Sequence, residues 1–149
     1  MKDSIFADAN VRIDVMDAET GQVLASQELR NLVVTAGRNL LRDFLNRAAV
    51  TGVSHFAVGI GTNAVTAADT ALQTHVFRDV LTRTTASDGG LQVQYFLASG
   101  SANGHTLTEA GLFNAAAAGT MYARVRFGSS IVKTAAIAVT FAWDLTFST

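Results

Sequence analysis

Residues Ile137 to Phe147 read "IAVTFAWDLTF", with Ile137, Val139, Phe141, Trp143, Leu145 and Phe147 on one phase and Ala138, Thr140, Ala142, Asp144 and Thr146 on the other. Successive side chains of an extended chain point to opposite faces, so this period of two predicts a long strand with one buried face. Six large apolar side chains, at roughly 1.5 to 3 kcal/mol each when fully buried, supply on the order of 10 kcal/mol before chain entropy is set against them. A strand of that value is expected at the centre of a sheet.

The same period recurs in Val11, Ile13 and Val15, in Leu91, Val93, Tyr95 and Leu97, and in Met121, Ala123, Val125 and Phe127. Between Asp17 and Gln22, "DAETGQ" is a turn signal, so residues 1–30 read as an N-terminal β-hairpin whose second arm runs from Val23 to about Leu29. This hairpin is a candidate assembly arm on a core of residues 31–149. "ASDGG", Ala86 to Gly90, joins a strand expected over His75 to Thr85 with the next one, and "SGSANGH", Ser99 to His105, is a further loop. Helical spacing occurs once: Leu40, Leu41, Phe44, Leu45 and Ala48 predict an amphipathic helix over about residues 36–48, with Thr35 as its N-cap. Seven or eight strands and one helix define a mainly β fold, an antiparallel β-sandwich.

At 149 residues the chain has the size of one domain, and 49% hydrophobic content with nine Phe gives ample core without staples. Cysteine is absent, which excludes disulfides and thiolate metal sites. The opening "MKDSIFADANVRIDV" has neither the apolar region of a signal peptide nor a membrane span, so neither secretion by that route nor membrane insertion is expected. Net charge is -1 and the only local basic cluster is Arg38, Arg42 and Arg47, which argues against nucleic acid as a partner. Charged residues make up 15% of the chain, against about 25% in an ordinary soluble domain. A surface so poor in charge suggests that much of it faces other subunits.

"HFAVGIGTNA", His55 to Ala64, matches the G-x-G-x-x-A spacing of a dinucleotide site, with Asp79 twenty residues past Gly59. The pattern fails its context, because a phosphate-binding glycine turn must open a helix and "NAVTAADTAL" has no helical stripe. Its glycines are read instead as ending a strand and opening a loop. His55, His75 and His105 show no metal-ligand spacing, and no G-x-S-x-G elbow is present. Asp79, Asp88, Glu109 and Asp144 are the available acids, with nothing pairing any two of them. No catalytic residue, metal or cofactor is therefore expected. Glu109, in "TLTEAGLFN", is read as accepting backbone N–H bonds from a neighbouring loop. Tyr95 and Trp143 share the apolar phase of their strands and are read as core, which leaves Tyr122, beside Arg124 and Arg126, as a candidate surface contact.

Six stretches taken in order carry a resemblance: "NLVVTAGRNLLRDFL" from Asn31, "VSHFAVGIGTNAVTAADTAL" from Val53, "FR" at Phe77, "LTEAGLFN" from Leu107, "MYARVRF" from Met121, and the closing "FAWDLTF". Together they span roughly Asn31 to Ser148 and resemble a family of small structural proteins of tailed bacteriophages, found among tail-fibre, collar and baseplate components. The resemblance implies a non-enzymatic virion protein, made in the host cytoplasm and built into the particle as a homo-oligomer, a trimer or ring, beside other virion proteins. Two alternatives keep the fold: a capsid decoration or cement protein, and a host receptor- or glycan-binding module using the loops Thr62 to Thr74 and Ser99 to His105.

Overall fold

The computed structural model describes residues 8–147; the first seven residues of the expected hairpin and the last two of the chain lie outside them. The described chain forms β1 (Asp8–Asp17), β2 (Val23–Val33), α1 (Thr35–Leu45), β3 (His55–Gly59), β4 (His75–Val80), β5 (Arg83–Ser87), β6 (Gly90–Leu97), β7 (Thr106–Phe113), β8 (Met121–Val132) and β9 (Ile137–Thr146). All nine strands join one antiparallel sheet in the order β4-β3-β7-β8-β2-β1-β9-β6-β5. The fold is thus mainly β, with nine strands where seven or eight were expected.

The extra strand comes from the stretch His75 to Thr85, which is two strands and not one. At Leu81 and Thr82 the amides bond to Ser54 O and Gln94 O respectively, so the chain leaves its partner β3 and crosses to β6. β4 and β5 are the two outermost strands, yet only these two residues join them. A sheet with its two edges tied so closely has to curl, and it forms a half-barrel whose two halves face each other like the layers of a sandwich.

The first hairpin is built into this wall. Asp17 Oδ1 accepts the amides of Glu19 and Thr20 at 2.9 and 2.8 Å, and Gly21 takes the positive φ of 72° that closes the turn. β1 lies between β2 and β9, and Ala9, Val11 and Ile13 are buried, so the described part of this hairpin shares its core with the strands that follow. Residues 25–31 of β2 pair with β1, and its last two, Leu32 and Val33, with β8. Lower down, where β2 and β8 part, the Gln27 side chain bridges them, its amide nitrogen donating to Ser129 O and its oxygen accepting from the amides of Gly128 and Ser129.

Inside the curl, Phe56 of β3 stacks on Tyr95 of β6 with ring centroids 4.2 Å apart, and meets Phe141 and Trp143 of β9 at 4.6 and 5.7 Å. β9 places Val139, Phe141, Trp143 and Leu145 in this core as its period requires; Ile137 is half-buried and Phe147, past the strand end, is exposed. Tyr95 donates its hydroxyl to Asp79 at 3.0 Å, and burial pushes its pKa up.

α1 begins one residue earlier and ends three residues earlier than expected. Its N-cap is Val34, with no capping side chain, while the amide of Thr35 donates to Ala67 O. Past Leu45, Arg47 turns left-handed at φ 61°. Leu40 alone of the apolar stripe is buried; Phe44 and Leu45 face solvent. The helix approaches β8 closely because Gly37 has no Cβ, which would otherwise collide with Tyr122 O.

Candidate functional site

The outer surface of β3, β7 and β8 is covered by α1 and by residues 60–74, and a second, smaller core of Val34, Ala57, Leu72, Phe113 and Met121 forms there. β3, most of β7 and the first five residues of β8 are therefore buried on both faces. At the edge of this second core the cover meets charge. Glu109 of β7 and Arg124 of β8 are 0% and 2% exposed, and the Glu109 carboxylate is 2.8 Å from Arg124 Nη2.

Glu109 Oε1 accepts the amides of Gly61 and Thr74 at 3.0 and 2.9 Å, and Oε2 accepts the amide of Gln73 at 3.1 Å and Arg124 Nε at 2.9 Å. Both ends of the 60–74 loop are held by one carboxylate. The glycine spacing finds its reason here: a Cβ on Gly59 or Gly61 would lie 2.6 or 2.5 Å from Glu109 Oε1. The pair makes room for an acid from its own chain, where a dinucleotide site would make room for a phosphate.

Arg124 extends the network into the loop. Its Nη1 donates to Asp69 Oδ2 at 2.7 Å and to Ala64 O at 3.4 Å, and Nη2 donates to Asn63 O at 3.2 Å. With Nε on Glu109 the guanidinium makes four hydrogen bonds, and its Nη2 also pairs with the Glu109 carboxylate. Asp69 also accepts the Thr66 amide and hydroxyl at 2.9 and 2.8 Å. Partial burial works to raise the Asp69 pKa, but the Thr66 bonds and Arg124 outweigh it and hold the carboxyl below its ordinary 3.8.

The structure thus brings Glu109 and Arg124 together and joins Asp69 to them. Each carboxylate oxygen of Glu109 already has two donors, so the arrangement fixes a loop and leaves no lone pair on Glu109 for proton transfer. Tyr122, expected as a surface contact, is buried in the main core inside the curl, where β8 shifts register against β7 between Leu112 and Phe113; burial pushes its pKa up to about 12. Arg124, its expected surface neighbour, is buried as well, and Arg126 is exposed. For Arg124 the reason is the cover: an outward-facing position on β8 reads as solvated until the loop closes over it.

A second buried cation escaped the sequence reading. Lys133 is 0% exposed, and its Nζ donates to Ser99 O, Asn103 Oδ1 and Thr134 O at 3.2, 2.8 and 3.1 Å, closing the Ser99 to His105 loop. Burial lowers its pKa. No periodicity marks such a lysine, because its partners are mainly backbone carbonyls.

Other titratable groups are dispersed. His55 Nδ1 lies 2.7 Å from Ser54 Oγ, and His75 is exposed at the start of β4, its pKa lowered by desolvation and by Arg78. Asp144 accepts from Gln92. Among the described residues no three His, Asp or Glu side chains are grouped to hold a metal ion, and no helix is long and apolar enough to cross a membrane. Comparison of the chain with protein families, curated proteins and solved structures gives no match.

Proposed function

We propose that this chain is a non-enzymatic structural protein of a bacteriophage particle, a homo-oligomer that builds or adapts part of the tail beside other virion proteins. The observation that carries the reading is the surface: charge is sparse, and large apolar side chains stand open, with Phe44, Leu45, Val80 and Val132 between 58% and 72% exposed. Such side chains are costly on a monomer and useful at subunit contacts. The ordered stretches from Asn31 to Ser148 that resemble phage tail components add the particle as the setting. The buried ion network supports a scaffolding role, since its groups are spent on holding loops.

Light scattering on the purified chain tests the assembly. The expected mass is a multiple of the 15.7 kDa protomer, and a clean monomer at high concentration overturns the reading. Labelling the protein in electron micrographs of the particle is expected to mark the tail; label on the head would assign it to capsid decoration instead.

A further inference from the structure

The two ends of β2 carry surfaces of opposite character. At its start, Val23 and Leu24 are 51% and 54% exposed; Asp14 is paired with Arg12 at 3.2 Å, and the tip between Val15 and Gln27 contains Asp17 and Glu19 but no Lys or Arg. Beyond its other end, α1 exposes Phe44 and Leu45 at 65% and 72%, beside the exposed Arg38, Arg42 and Arg47. Asp43 is the one acid between Thr35 and Arg47, and Arg42 pairs with it at 2.6 Å. The residues after α1 keep it at this end: Asn114 donates to Thr51 O, and the amide of Ser54 donates to Phe113 O.

An eleven-residue strand separates the two surfaces by roughly 35 Å, so one copy cannot bring its own patches together. We propose that the acidic, apolar hairpin tip of one copy docks on the basic, apolar helix α1 of the next, head to tail. The proposal rests on the homo-oligomer reading and names its contact. Val23 and Leu24 meet Phe44 and Leu45 at the centre, where water is expelled, while Glu19 and the arginines steer and orient the approach. A contact between unlike surfaces leaves one of each kind free, so it propagates until a ring closes.

Two variants of the full chain test it, V23S/L24S at the tip and F44S/L45S on the helix. Both change exposed side chains, and thermal melts verify that each still folds. Each variant alone is expected to be monomeric by light scattering, whereas mixing them yields a 1:1 dimer, because one supplies an intact helix and the other an intact tip. Variants that remain oligomeric, or a mixture that stays monomeric, overturn the tip-to-helix contact while leaving a wild-type oligomer standing. A monomeric wild-type protein overturns both readings.

Discussion

At the scale of single residues, the Glu109, Arg124 and Asp69 network decides what can be removed. Replacing Arg124 by Met leaves the buried Glu109 carboxylate without its countercharge, which is expected to cost about 3 to 5 kcal/mol in denaturant unfolding. Arg126→Met, two positions along and exposed, should stay within about 0.5 kcal/mol. Asp69 predicts the pH response. Its folded pKa is depressed, so its stabilisation is present above the ordinary carboxylate value and is lost as pH falls through the folded pKa. Thermal melts of the wild type should therefore fall more steeply below about pH 4 than those of Asp69→Asn, which lacks that titration. Glu109 was legible in the sequence because an acid inside an apolar strand, next to Gly111, needs donors. Arg124 was not, because alternation assigned it to an open face and said nothing of the loop that lies over it.

Elements were legible wherever the period was long. β9 shows this, and it also shows where period stops informing: Phe141 and Phe147 share a phase, but only Phe141 is covered on all sides by the aromatic cluster. Phe141→Ala is expected to cost about 3 to 5 kcal/mol, and Phe147→Ala, 40% exposed, well under about 1 kcal/mol by the same denaturant titration. No Gly, Pro, Asn or Asp stands at Leu81 and Thr82, which hid the crossing from β4 to β5, since two residues that change pairing partner need no turn signal. In the helix, spacing revealed the apolar stripe but could not say that Phe44 and Leu45 extend past the sheet that covers Leu40.

For the whole molecule, composition and turn signals indicated a mainly β fold, but the placement of β1 between β2 and β9 came from long-range pairing that local sequence does not encode. Because β2 pairs with β1 along its length and with β8 at its end, neither half of the sheet has a complete core of its own. Unfolding is expected to be a single transition: fluorescence of the lone, fully buried Trp143 and far-UV circular dichroism should give coincident denaturation curves. Separated midpoints would show that the halves melt independently. The same topology sets how the protein responds to pulling. Asp8 faces Thr146 across an antiparallel ladder, so tension applied at these two points peels β1 from β9 one rung at a time instead of loading the whole row at once. Handled by those two points the molecule unzips readily, and any load it is to bear is better applied elsewhere on the fold.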